Sequence, residues 1–266
     1  TRGYRFWKYF SIIQGFFIGL YIIKRYKVRD IFGVFQDDAS LILSFVLAKT
    51  FPGVRYFPYF TDLYAEQRDG RKRLIADYFQ HKVYKRSTFV FVVNDGIKEY
   101  LNGIYSDFHK IITLPMISVN EHWNNFIPRK RQAKFTVTFS GTINDDRLET
   151  LRAFTSIISK DDRFRFVYLT AHSQEELKSF KVFYDGFEAK FCKTQKELVE
   201  ELGKSDLLYL PIRFTYPPKL TNQLMTCFGA KTLDYLAIPV PILVHSPKDF
   251  YNYKMLKNAN AAFCLD

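Results

Sequence analysis

The stretch GAKTLDYLAIPVPIL, residues 229–243, decides how the chain is read. A glycine opens it, a helix-favouring run follows over about 230–237, and an aliphatic strand broken by prolines, Val240–Val244, comes almost at once. Lys231 and Asp234 stand three residues apart, so on a helix they share a face. Leu233, Leu236 and Ala237 form the expected apolar face, which leaves the charged pair on a different one. A lysine in the first turn opposes the helix dipole unless an anion sits there. Lys231 is therefore costly as decoration and sensible as a phosphate contact. A carboxylate such as Asp234 can accept two hydroxyls of a sugar ring, at ~1.5–3 kcal/mol for each charge-assisted bond. The plainer alternative is an exposed Lys231–Asp234 pair worth ~0.3–0.5 kcal/mol.

Working outward from that segment, strands alternate with helices. The second half reads as strand Phe135–Ser140, helix Asp145–Ser159, strand Phe164–Thr170, helix Glu175–Phe180, strand Phe187–Phe191, helix Lys196–Gly203 and strand Leu207–Leu210. The first half reads as helix 4–26, strand Asp30–Phe35, helix Asp38–Lys49, strand Val54–Phe60, helix 71–86, strand Thr88–Val93, helix 96–103 capped by Asn94 and Asp95, and strand Lys110–Leu114. Residues 120–134, NEHWNNFIPRKRQAK, are polar, basic and without periodicity, and break the alternation. The spacing predicts an α/β protein of two Rossmann-like, doubly wound parallel-sheet domains, 1–128 and 129–266, facing each other across a cleft.

The composition suits such a chain. Of 266 residues, 47% are hydrophobic and 25% charged, which excludes a disordered class. Three widely spaced cysteines, with no Cys-x-x-Cys, suggest neither a disulfide framework nor a zinc site, and a reducing compartment fits best. The net charge of +12 is uneven: residues 1–134 hold 22 Lys and Arg against 11 Asp and Glu, and residues 135–266 hold 17 against 16. A basic half suits an anionic partner, unless the excess serves solubility alone. The apolar run FSIIQGFFIGLYII (10–23) is too short to span a bilayer, and no cleavage site for a signal peptide follows it. It reads as an aromatic helix, either packed in the core or partly laid on a membrane surface.

Ligands of parallel sheets sit at the carboxyl ends of the strands. There FSGTINDDRLETL (139–151) offers Gly141 and Thr142 directly after a strand, where a ligand can approach the backbone, and Arg147 in the first turn of the next helix. A plain turn is the alternative, and no Gly-x-Gly-x-x-Gly fingerprint is present. Lys193 and Thr194 follow a second strand, and the polar loop PIRFTYPPKLTNQ (211–223) follows a third.

With these residues in place, KTLDYLAIPVPIL resembles the Lys-x-x-Glu-Tyr-Leu-Ala-x-Gly-x-Pro-Val segment of GT-B fold nucleotide-sugar glycosyltransferases, in particular the large retaining group called family 4. FSGTI, GFEAKF and SDLLYLPI are similar to that family's upstream segments, in the same order. FPYFTDLYAE, KRSTFVFVVNDGIKEYL and LPMISVN resemble segments of its acceptor domain. The resemblance covers about 30–266, and against complete members the chain looks truncated at both ends. It implies that Asp234 holds the donor ribose and that Lys231 lies near the diphosphate or sugar. The backbone at Gly141 and Thr142 would cradle phosphate, and Arg147 would neutralise it. Arg147 and Lys231 are then the catalytic pair, and Lys193 and Thr194 join the donor-binding set. No metal and no cofactor beyond the nucleotide-sugar itself is implied, nor any protein nucleophile.

Departures are visible too. Thr142 and Asp146 stand where the family usually has an arginine and a lysine, Asp234 replaces the commoner glutamate, and Pro239 replaces a glycine. The expected activity is transfer of a sugar to a lipid-linked or cell-envelope glycan, at a cytoplasmic location that includes the inner membrane surface. A degenerate GT-B scaffold without catalysis is the alternative. A nucleic-acid binder, argued from charge alone, is disfavoured because the basic residues do not interleave with aromatics in a recognisable motif.

Overall fold

The computed structural model describes residues 2–35, 37–105, 110–116, 133–216 and 221–266, with side chains from Phe10 onward. Most of 120–134, the end of LPMISVN and part of the 211–223 loop lie outside the described residues, as does the expected boundary at 128/129. The chain forms two compact units, one within 1–116 and 218–227, the other within 117–217 and 228–266.

The first unit holds α1 (Arg2–Tyr26), β1 (Asp30–Phe35), α2 (Asp38–Thr50), β2 (Arg55–Phe60), α3 (Gly70–Arg86), β3 (Val90–Val92), α4 (Asp95–Ile104) and β4 (Ile111–Thr113). The strands are parallel and lie in chain order, β1-β2-β3-β4. Successive right-handed crossovers in one direction place the connecting helices on one face. Alternation along the strands then sorts the side chains: Tyr56, Phe60, Val90, Val92 and Ile111 turn into a core shared with Leu41, Ala48, Val83 and Ile97 from the helices. Each such side chain is worth ~1.5–3 kcal/mol when fully buried. The alternate positions carry a ladder of rings, with Phe32 facing Tyr59 and Phe91, and Phe57 facing Phe89 and Phe91. Helix starts follow sequence chemistry. Asp37 accepts the Ser40 amide (2.8 Å) at α2, and Asn94 accepts the Ile97 amide (2.9 Å) at α4.

A short helix that pattern reading did not mark, α8 (Thr221–Thr226), belongs to this unit. It packs on α4. Asn94 Nδ2 donates to the Thr226 carbonyl (3.0 Å), and Asn222 Nδ2 donates to the Tyr100 hydroxyl (2.9 Å). Residues inside the expected second domain thus complete the first unit.

The second unit holds β5 (Phe135–Ser140), α5 (Asp145–Ile158), β6 (Phe164–Leu169), α6 (Gln174–Ser179), β7 (Glu188–Lys190), α7 (Gln195–Leu202), β8 (Leu207–Pro211), α9 (Ala230–Leu236), β9 (Ile242–His245), α10 (Tyr251–Asn258) and β10 (Phe263–Leu265). Its six parallel strands run β10-β9-β8-β5-β6-β7. The winding runs outward from β5 through β6 to β7, then restarts at β8 on the other side. The β5/β8 boundary is therefore a topological switch point, where ligands of such sheets bind. Two cores sandwich the sheet. One is built around Val137, Phe139, Leu151, Phe166 and Leu177, the other around Leu169, Leu202, Leu208, Tyr235 and Val244.

Candidate functional site

The switch point is held open by a tyrosine. β5 pairs with β8 only at Val137↔Leu207 and Thr138↔Leu208. Beyond that rung the Ser140 amide donates to the hydroxyl of Tyr235 on α9 (2.8 Å), and that hydroxyl donates to the Tyr209 carbonyl on β8 (3.4 Å). Tyr235 is fully buried, and desolvation pushes its hydroxyl far above the ordinary phenol range. It therefore stays a neutral donor and acceptor. Below it Tyr209 stacks on Phe154 and bonds His245 Nδ1 (2.8 Å); burial lowers the His245 pKa, keeping that ring neutral.

Tyr235 also fixes the orientation of α9. The side expected to be apolar was Leu233, Leu236 and Ala237. The structure instead buries Thr232, Tyr235 and Ile238 and leaves Leu236 exposed. The i, i+3 row through Tyr235 faces the core because its hydroxyl completes the β5/β8 pairing. Lys231 and Asp234 then flank that row.

Gly141 directly follows β5 at φ +122°, a conformation glycine adopts freely and other residues rarely. A Cβ there would lie 3.0 Å from Lys231 Cε and 3.5 Å from Arg147 Nη1. The bare backbone thus lets two cationic side chains converge on one spot. Arg147, in the first turn of α5, also donates to the Thr142 carbonyl (3.0 Å), which anchors the turn. The cradle differs in part from the expected one. The Gly141 amide is spent on the Leu169 carbonyl (2.9 Å), and the Ile143 amide on His172 Nε2 (3.3 Å). Of the two positions expected to offer amides, Gly141 contributes space.

A cavity of about 310 Å³ opens beside this turn, lined by segments 140–142, 169–171 and 191–195 together with Leu198 and Lys231. All three segments are strand ends. The cavity brings together Gly141, Thr142, Lys193, Thr194 and Lys231 from the expected set. Arg147 stands next to it, against Gly141. Asp234 is one turn further along α9 and is not among the lining residues. Its carboxyl is half-buried; desolvation raises its pKa, and the nearby Lys231 charge lowers it by less. Thr194 has a local task as well: its Oγ1 accepts the Glu197 amide (3.1 Å) and caps α7, while Glu197 accepts the Lys193 amide (2.8 Å). The hydroxyl proton of Thr194 is left for another acceptor.

Sequence reading missed Phe191, an exposed ring at the cavity wall, and the polar strand ends Ser140 and Thr170. It also missed His172, whose ring holds the turn from below and whose Nδ1 lies 3.7 Å from Glu176. In the other unit the chain leaving β2 carries Asp62 and Glu66, both with carboxyls pushed up by burial. Glu66 Oε2 is buried without a hydrogen-bond partner. Thr170 and His172 have no local signature beyond lying near a strand end, whereas Ser140, Phe191, Asp62 and Glu66 lie inside FSGTI, GFEAKF and FPYFTDLYAE without being singled out there.

No protein-family model and no curated protein matches the sequence. Solved structures do match, and they define the fold: it is the GT-B fold of nucleotide-sugar glycosyltransferases. A glycosyltransferase from Rickettsia africae ESF-5 is similar with a TM-score of 0.63 at 15% identity, over 89% of this chain and 62% of that one. The α,α-trehalose 6-phosphate synthase from Burkholderia multivorans has a TM-score of 0.62 at 9% identity, over 96% and 63%. The UDP-forming trehalose-phosphate synthase from Burkholderia vietnamiensis has a TM-score of 0.62 at 10% identity, over 97% and 65%. The chain spans less than two thirds of the length of these proteins.

Proposed function

We propose that the chain is a glycosyltransferase that moves a sugar from a nucleotide-sugar donor to a glycan or lipid-linked acceptor of the cell envelope. The observation that carries this reading is the convergence of Lys231 and Arg147 on a side-chain-free backbone at Gly141, beside a cavity at the switch point of a parallel sheet. The glycosyltransferase and the trehalose-phosphate synthases among the structural neighbours agree with it.

The chemistry asked of the site is electrostatic. The bond from the anomeric carbon to the diphosphate oxygen breaks, and a bond from that carbon to the acceptor oxygen forms. The acceptor proton passes to the departing phosphate oxygen. Lys231 and Arg147 stabilise the negative charge that grows on the diphosphate, and they supply the positive charge a metal would otherwise bring. Asp234 accepts ribose hydroxyls, Thr142 and Thr194 offer hydroxyl protons to phosphate, and Lys193 adds a cation at the rim. Attack from the face that the nucleotide leaves retains the anomeric configuration and needs no protein nucleophile. The protein would work on the cytoplasmic side of a membrane, bound peripherally.

Thermal unfolding with UDP, GDP and ADP tests the reading. At 100-fold excess over Kd, a bound nucleotide stabilises by ~2.7 kcal/mol. Asp234→Ala should weaken that response with little loss of fold. A second reading, a scaffold that binds no donor, draws on Thr142 and Asp146 standing where the resemblance leads one to expect an arginine and a lysine. Absence of any nucleotide response in the folded wild-type chain decides for the scaffold.

A further inference from the structure

The face of the second sheet that α7 covers changes character from one strand to the next. Over β8 and β9 it is apolar, with Leu208, Leu210 and Val244 in one core. Over β5, β6 and β7 it is not. The register sets Thr136 beside Arg165 and Thr138 beside Val167, and continues from Val167 to Glu188 and from Leu169 to Lys190. Parallel strands covered on both faces normally read as apolar runs, so this polar stretch needs a reason. The helix does not seal it. A second cavity, of about 300 Å³, remains between α7 and the sheet. Its floor is the buried Thr136, Thr138 and Val167, and its rim is Arg165, Lys190, Glu201 and Lys204. It continues the cavity at Gly141 along one row of the helix: Gln195 and Leu198 face the first, Glu201 and then Lys204 the second. All its walls lie within residues 136–204, on the side of the sheet away from β10.

The charges of this wall do not cancel: three cations line it against one carboxylate. Glu201 is shared, its Oε2 accepting from Lys190 Nζ (3.0 Å) and its Oε1 from Lys204 Nζ (2.5 Å). Glu188, which is not on the wall, accepts from Arg165 Nη2 (2.5 Å). Two ammonium groups on one carboxylate leave positive charge in excess at the rim. On the floor, Thr138 Oγ1 accepts from Ser205 Oγ (2.6 Å), so its own proton is left for another acceptor, although the residue is only 1% exposed. A buried hydroxyl proton that faces a cavity calls for a partner inside it. We infer that this cavity binds the phosphate monoester of a small sugar, with the phosphate between Lys190 and Lys204 and the sugar hydroxyls on Thr136 and Thr138. The volume is at the lower end of ligand pockets, roughly 300–1,000 Å³, and suits one small molecule. A bare oxyanion would leave the threonine floor unused, and a nucleobase would find no ring to stack on among the lining residues. Glu201 is then the internal anion with which the phosphate competes. The inference does not rest on the transferase reading, since none of these residues belongs to the set around Gly141.

Titration calorimetry of the whole chain with ribose 5-phosphate, ribose and inorganic phosphate at low ionic strength tests it. The wild-type chain should bind ribose 5-phosphate, bind inorganic phosphate more weakly, and not bind ribose. Added salt should weaken the binding. K190Q and K204Q should each cost about tenfold in affinity for ribose 5-phosphate, the loss of one charge-assisted contact. Each leaves the other lysine on Glu201, so both should keep the wild-type melting temperature. E201Q should gain about tenfold, because the competing carboxylate is gone. A cluster that is merely structural predicts no such gain. K231Q should bind ribose 5-phosphate like wild type, which separates this site from the cavity at Gly141. The inference is overturned if the folded wild-type chain does not bind ribose 5-phosphate, or if K190Q and K204Q bind it like wild type. It is equally overturned if E201Q binds it more weakly, if K231Q abolishes the binding, or if inorganic phosphate alone binds as tightly as the sugar phosphate.

Discussion

Substituting Gly141 by alanine tests the geometry of the proposed donor site most directly. Two separate effects are built into the position. The backbone stands at φ +122°, so any side chain is strained there, at ~1–3 kcal/mol. The added Cβ would also stand 3.0 Å from Lys231 Cε and 3.5 Å from Arg147 Nη1. Lys231 is flexible and can give way, so the contact costs little stability, but it moves the ammonium off its spot. Loss of one charge-assisted contact to phosphate is worth ~1.5–3 kcal/mol, or about ten- to a hundredfold in nucleotide affinity. Gly186 supplies the control. It too has positive φ, at +81°, but open space surrounds its missing Cβ. Gly141→Ala and Gly186→Ala should each lower the melting temperature by several degrees, at about 2–4 °C per kcal/mol for a protein of this size. Only Gly141→Ala should weaken the stabilisation by added nucleoside diphosphate. If Gly141→Ala melts like wild type, the strain argument is wrong. If it melts lower yet responds to nucleotide like wild type, Lys231 does not bind the phosphates from where it stands.

Two further substitutions probe the same site. Tyr235→Phe deprives the buried Ser140 amide of its acceptor, and urea unfolding should show a loss of ~1–3 kcal/mol. Asp234→Asn should raise the melting temperature at pH 7: burial lifts the folded-state carboxyl above its unfolded value near 3.9, so the wild-type chain loses stability as pH rises through the folded pKa, and the gain should fade on acidification toward about pH 4. A gain that grows on acidification would mean that Lys231 outweighs desolvation there.

Much of this fold was legible because strands and helices here are punctuated locally. The run DIFGVF, bounded by Arg29 and the Asp37 cap, is a strand along its whole expected length. TFVFVV is not. Only Val90–Val92 are in the ladder; Thr88 and Val93, at its two ends, each donate a single amide bond to β2, at the Tyr56 and Phe60 carbonyls. Likewise Val240 was expected in a strand that begins at Ile242, after Pro241, which lacks an amide to donate. The helix α8 escaped because TNQLMT has no periodic apolar face; its docking rests on bonds to Asn94 and Tyr100, more than a hundred residues away in sequence. Within the site, Gly141 and Lys231 were visible as a glycine after a strand and a cation at a helix start. The cavity wall from Phe191 to Gln195 was visible only where it carried a charge or a hydroxyl. The orientation of α9 was misjudged for a specific reason: apolar counting ranks Leu233 and Leu236 above Tyr235, yet the deciding interaction is a hydroxyl meeting the backbone of two strands.

That hydroxyl explains why the site lies where it does. In a parallel pair in the register Thr138↔Leu208, the next rung would carry the Ser140 amide to the Tyr209 carbonyl directly. Here the Tyr235 hydroxyl accepts from the first group and donates to the second, so it occupies the rung itself. One buried group thereby satisfies a donor on β5 and an acceptor on β8 while holding the two strands apart at their carboxyl ends. The same side chain belongs to α9, so the splay of the strands and the placement of Lys231 and Asp234 are set by a single contact. Gly141 emerges from β5 one residue beyond the wedge, which brings its bare backbone under Lys231. Switch points in wound sheets leave a crevice by topology alone. In this chain the crevice is also propped by a residue whose ring is core and whose oxygen is backbone pairing, so substitutions that loosen the wedge should disturb the proposed donor site and the sheet together.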